Sequence, residues 1–251
     1  MIPSARLFRP GEAPNGVESQ IEAMLTQKNY PCVAALRSFF RQDYLVGFYD
    51  EFGTGNDWQA LRADLLYFLE RVKTTRSPYL TMWAIFPDTA STDEATFERA
   101  MWNELSHLTS LESRASDWGD AGPARSEAEG ESLPEEMDPS SRSFSLRLGG
   151  EALFVVGLHP NASRRGRRFP FTAFVINAFS QFEKLEETGT YGRMVALNRA
   201  RDEAFHGDAN PMSVKHGDAW EAIQFSGRTN DDAWKCPFHF LAQANKKGSN
   251  P

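Results

Sequence analysis

The chain has 251 residues, 41% hydrophobic and 12% aromatic, enough apolar side chain to bury one large core or two modest ones. Its net charge of -7 is local: residues 112–138 hold nine acids against Arg114 and Arg125, which accounts for all of it. The balanced remainder excludes a general basic field for nucleic acid, and no run of about 18 apolar residues suits a membrane span.

The first 16 residues, MIPSARLFRPGEAPNG, contain no apolar leader core. Cys32 and Cys236 lie far apart, outside any CxxC pair or zinc-finger spacing. Together these features read as a soluble protein of the reducing cytoplasm with no nucleic-acid or membrane partner.

Residues 17–28 place Val17, Ile21, Met24 and Leu25 at helical spacing, and Tyr30-Pro31-Cys32 ends that helix before an apolar segment. Asp43 to Tyr49 reads as a strand. Asn56 or Asp57 then caps a helix whose apolar positions 58, 61, 65, 68, 69 and 72 share one face. Leu80 to Phe86 is a second strand, stopped by Pro87. Thr92 or Asp93 caps another helix, with Phe97, Met101, Leu105 and Leu108 on its stripe and His107 off it, in solvent.

Residues 113–142 lose periodicity and read as a long acidic, solvated or disordered loop. Patterning resumes with SFSLRL from Ser143. ALFVVGL at 152–158 is apolar on both faces, as a strand covered on both sides requires, and FTAFVIN at 171–177 is a second such strand expected to pair with it. Helices follow over 181–187 and 193–205, the latter closed by Gly207. This order predicts a single α/β or α+β domain spanning 1–251, with a mainly mixed sheet flanked by helices and the acidic loop as an excursion.

Between the two buried strands stands GLHPNASRRGRRFP, where His159 is followed within nine residues by Arg164, Arg165, Arg167 and Arg168. Pro160 pushes His159 toward extended backbone, at the mouth of a strand. A neutral histidine there suits haem iron, and the arginines suit its propionates; the same layout suits a phosphate or carboxylate ligand, or a hydrogen-bonding histidine beside a solvated arginine run. Cys236, in WKCPF, offers a thiolate as an alternative iron ligand or nucleophile, against the plainer reading of a small packed hydrophobe. His206 and His216 flank a Gly/Asp/Asn/Pro turn and read as loop residues. No Glu-x-x-His pair supports a di-iron site.

From Asp138 to Phe238 the chain resembles the YqcI/YcgG family of bacterial proteins. The matching elements are LHP-x-x-SR with its arginines, the N-x-x-x-QFE segment, R-x-RD, G-x-x-NP, QxSGR and the terminal W-x-CPF; YPCVAALRSFF near the N-terminus matches as well. Members with assigned chemistry are haem-dependent N-oxygenases. The resemblance therefore implies haem b bound through His159, activation of O2 with electrons from an external reductase or ferredoxin, and hydroxylation of the side-chain nitrogen of an amino acid such as arginine or lysine in natural-product biosynthesis. Arg164, Arg165, Arg167 and Arg168 would hold propionates, and Arg228 a substrate carboxylate. Glu183, Asp202 and Glu221 are candidates to meet an amine or guanidinium.

Where the family usually has proline and histidine after the asparagine, this chain has Asn177-Ala178-Phe179, which makes Phe179 a candidate determinant of substrate choice. A non-catalytic haem- or anion-binding protein is the alternative reading of the same residues, and a hydrolase or transferase built on Cys236 is a third.

Overall fold

The computed structural model describes residues 4, 6–14, 16–90, 92–109, 134–212, 221–231 and 233–241. Six strands form one open mixed sheet: β1 (Leu7–Phe8), β2 (Tyr44–Phe48), β3 (Thr81–Phe86), β4 (Leu146–Leu148), β5 (Glu151–Leu158) and β6 (Thr172–Ala178), in the order β1-β2-β3-β6-β5-β4. Only β2 and β3 run parallel, joined through the 17-residue helix α3 (Trp58–Thr74); every other pairing is antiparallel. β5 pairs with β6 as expected, from Leu153 opposite Ala178 to Leu158 opposite Ala173.

The helices divide between the two faces. On one, α3 and α4 (Glu94–Leu108) cover Leu45, Met82, Ala84, Phe86, Phe174, Ile176, Leu153 and Val155, a core built from alternate positions of four strands. α4 is capped by Asp93, whose carboxylate accepts from the Ala95 and Thr96 amides at 2.9 Å. On the opposite face, α1 (Val17–Leu25) and the residues Tyr44, Val46, Trp83, Ile85 and Val175 make a second core. α2 (Val33–Phe40), α5 (Phe179–Glu187) and α6 (Tyr191–His206) share this side; α6 ends at Gly207, in the left-handed region at φ 113.

Several expectations are refined. The apolar segment after Pro31 is α2, with Cys32 as its N-cap: the thiol accepts from the Ala35 amide at 3.4 Å. His107 is half-buried, its ring against Gly55, because α4 is enclosed on more than its apolar stripe; Glu98 and Glu104 are buried as well. Of the stretch read as an acidic excursion, residues 134–142 include a 3-10 turn at Glu135–Met137 that buries Met137 in the larger core. Residues 113–133 and His216 lie outside the described residues. No helix among the described residues is long and apolar enough to cross a membrane.

Candidate functional site

Side chains alternate across a strand, so one residue along β5 decides which face a group serves. Leu153, Val155 and Gly157 face α3 and α4, and His159, next in that series, does the same. Its ring stacks on Phe97 of α4, centroids 4.3 Å apart and planes 20° from parallel. It is 1% exposed, and neither ring nitrogen has a hydrogen-bond partner. Burial holds its pKa below the usual histidine value, so the ring is neutral at pH 7.

The even positions, Phe154, Val156 and Leu158, face a cavity of about 250 Å³ on the other side. Its floor continues onto β6 through Val175 and Asn177. α2 and α5 supply walls, and α6 forms the roof with Met194, Val195, Asn198, Arg199 and Asp202. Those spacings of three and four put the inner stripe of α6 over space rather than core, which explains why only Met194 and Phe205 of that helix are buried.

The arginines that follow His159 hold this roof and the loops around it. Arg164 bonds Asp202 at 2.8 Å and Asp208 at 2.9 Å, fixing the C-terminal end of α6. Arg165 donates to the Phe205 carbonyl at 2.6 Å and lies over the Phe205 ring, a cation placed where the exposed carbonyls of a helix end. Arg168 donates to Ala162 and Ser163 carbonyls of its own loop. Arg167 reaches further, to the carbonyls of Gly157 (3.1 Å), Phe225 (3.1 Å) and Gln224 (3.0 Å). Its stem crosses Gly227, where a Cβ would lie 2.9 Å from the Arg167 Cγ; with φ at 81 as well, that position requires glycine. The arginine run and the QFSGR box, sixty residues apart in sequence, thus lock together through one side chain.

The rest of that box is held by Glu98 from α4. Its buried carboxylate accepts from Ser226 Oγ (2.9 Å), Arg228 Nη1 (3.0 Å), Asn230 Nδ2 (3.0 Å) and Trp234 Nε1 (3.2 Å). Arg228 is therefore engaged away from the cavity. Glu183 is exposed on α5 and does not line the cavity either, whereas Glu221 and Phe179 do. Cys236 packs at the edge of the α3/α4 core, its thiol pushed up to about 12 by burial.

The cavity also gathers residues that spacing did not single out. Cys32 lines it from the start of α2, its thiol pKa raised by burial. The adjacent Tyr30 donates its hydroxyl to the Gly166 carbonyl at 3.1 Å, and Arg201 donates Nε to the Tyr30 carbonyl at 2.7 Å. Asn198 accepts from the Val33 amide at 3.0 Å, tying roof to wall. The side-chain amide of Asn177 bonds to no described residue. Gln181 of the QFE segment is structural: it accepts from the Ala178 amide and donates to the Leu80 carbonyl, joining α5 to the end of β3.

A haem held by His159 with propionates on the four arginines does not fit this arrangement. The imidazole is on the opposite face of the sheet from the cavity; Arg165 and Arg168 hold main-chain carbonyls away from its lining, and of the two arginines that do line it, Arg164 is already paired with Asp202 and Asp208, which leaves Arg167 alone for two propionates. Among the described residues no group of three or more His, Cys, Asp or Glu is placed to hold a metal ion.

An open mixed sheet with helices on both faces and a partly open cavity beneath α6 defines a single-domain α+β protein. The chain belongs to the YqcI/YcgG family, whose model matches residues 21–239. No curated protein and no solved structure matches it.

Proposed function

We propose that the protein acts on a small organic molecule held in the cavity beneath α6. The observation that carries this reading is the roof itself: six residues at helical spacing on α6, Tyr191 among them, line a space of about 250 Å³, and of these only Met194 is buried. An unfilled apolar chamber forfeits dispersion contacts along its walls, a cost that a ligand offsets. Polar side chains (Asn177, Asn198, Asp202) and apolar ones (Phe154, Phe179, Phe182) share the lining, so the site can orient what it takes.

The test is differential scanning fluorimetry against small acids, amides and amines, with wild type and Val195→Trp, which fills the chamber from the roof. A compound that raises the wild-type Tm and leaves the variant unchanged supports the site. Equal stabilisation of both places binding elsewhere and defeats the reading.

The family resemblance carries a second reading of the same chamber: haem-dependent hydroxylation of the side-chain nitrogen of arginine or lysine, with O2 and an external electron donor. One observation favours it. The Cys32 thiol, a soft donor of the kind that ligates haem iron, lines the cavity where His159 does not. A bound haem would supply the activation of dioxygen. Hemin titration separates the candidates: a thiolate-type ferrous-CO spectrum lost in Cys32→Ser and retained in His159→Ala supports this reading, and the absence of saturable haem binding removes it.

A further inference from the structure

The cavity wall contains a cation that forms no ion pair, with Asp202 acting on it only through space. Arg167 places its guanidinium among three carbonyl oxygens, of Gly157, Gln224 and Phe225, and makes no ion pair; its Nε donates to no described residue. Carbonyl dipoles satisfy N–H groups without neutralising the charge, and burial lowers the Arg167 pKa to about 10, as expected for a cation held from water. The nearest wall carboxylate is already used: Asp202 accepts from Arg164 Nη2 at 2.8 Å and from the Asn210 amide at 2.8 Å. Arg199, an exposed cation on the roof, also bonds to no described residue. The described lining thus has three guanidiniums against the carboxylates of Asp202 and Glu221.

Part of the lining is aromatic. Phe154, Phe179 and Phe182 meet edge to face, with centroids 5.6–6.0 Å apart and planes 78° to 80° from one another. Rings this close leave no polar gap between them and form one continuous apolar wall. A cavity of about 250 Å³ is near the lower end of the range of small-molecule sites.

We infer that the ligand is a compact monocarboxylic acid with an apolar or aromatic body, its carboxylate toward Arg167 and its body against Phe154, Phe179 and Phe182. The described lining carries one positive charge more than it has carboxylates, which matches a single negative charge on the ligand. A phosphate would bring up to two charges and ask for converging main-chain amides, yet at the start of α2 the Val33 and Ala35 amides are already taken by Asn198 and Cys32. This inference rests on the cavity being the ligand site and adds what the ligand is.

The experiment compares three probes of one shape, 3-phenylpropionate, 3-phenylpropanamide and 3-phenylpropylamine, with inorganic phosphate alongside. Each is titrated by calorimetry and tested for protection of Cys32 against alkylation, which reports binding in the cavity itself. The acid is expected to bind at least tenfold more tightly than the amide or the amine and to protect Cys32. Arg167→Gln should remove most of that preference while leaving the amide's affinity unchanged. Should Arg167→Gln fail to fold, Arg199→Gln provides the second variant, with a two- to threefold loss expected for the acid alone.

Amide or amine binding as tight as the acid, with Cys32 protected, overturns the carboxylate inference and leaves the cavity reading standing. Phosphate that protects Cys32 better than the acid overturns it in favour of an anion of another class. Absence of binding and of protection by all four probes overturns the cavity reading, and the inference with it.

Discussion

The imidazole of His159 and the ring of Phe97 lie face to face, 4.3 Å between centroids, sealing β5 against α4. Both ring nitrogens are buried without partners, so the residue behaves here as an aromatic packing element that carries a desolvation cost. His159→Ala is expected to destabilise the fold by about 2 kcal/mol, read from urea unfolding. His159→Phe keeps the stack and should be at least as stable as wild type.

The same burial gives a pH signature. With the folded pKa below the ordinary value of about 6.5, the unfolded chain takes up a proton first as pH falls, and stability drops from pH 7.5 toward 6. His159→Phe should flatten this slope in part; His107, shifted in the same direction by burial and by His239, retains the remainder. Unfolding free energies at pH 7.5 and 6 check this, and an unchanged slope in His159→Phe would contradict it.

Glu98 gathers four donors from the C-terminal segment onto α4. Glu98→Ala removes the shared acceptor of Ser226, Arg228, Asn230 and Trp234, of which Asn230 keeps the Ile223 carbonyl at 3.4 Å, and should cost about 3 kcal/mol. Limited proteolysis is expected to show cleavage between 226 and 241 in that variant while α3 and α4 stay intact. Glu98→Gln, able to accept at one oxygen, should fall between the two.

α6 is attached by polar latches more than by apolar packing. Asp202→Asn weakens the Arg164 ion pair, whose two side chains are 6% and 13% exposed. Hydrogen exchange should accelerate over the C-terminal half of α6 by an order of magnitude or more, with little change in β5 or β6. Uniform acceleration across the sheet would show that the roof does not open independently.

Gly227→Ala combines a left-handed backbone with a 2.9 Å approach to Arg167 Cγ. A loss of about 1–2 kcal/mol from the backbone alone is expected. Displacement of Arg167 should also raise the alkylation rate of Cys32 by exposing the cavity, which a timed mass measurement of modified protein resolves.

The strands and long helices were legible because their side-chain periods are simple: β2, β3, β5, β6, α3 and α4 fall within a few residues of where the pattern puts them. α2 was hidden by its short, evenly apolar sequence and by a cysteine in the capping position, where serine or aspartate is the usual signal. The resemblance was legible from ordered motifs. Its residues divide in the structure: Phe179, Glu221, Asp202, Arg164 and Arg167 reach the cavity, while His159 and Arg228 serve contacts with α4. Parity along β5 would have separated His159 from the cavity, since it shares the odd series with Leu153 and Val155. The partners of Arg167 could not be read, because they are main-chain carbonyls, which leave no mark in sequence. The cavity itself is assembled from Cys32 to Gln224, and no local window contains it.

The sheet works as a partition with unlike tenants. Substitutions at odd positions of β5 and even positions of β6 fall on the larger core and those at Leu158, Ala173 and Val175 on the second core, and register as folding defects, whereas Asn177, Phe179 and Val195 face the cavity and are only partly committed to packing. A saturation scan should therefore split into two populations: variants that lose abundance, and variants of normal abundance with altered ligand choice. On the proposed reading, Val195, Asn177 and Phe179 are positions where ligand choice would change without loss of the stability held on the other side.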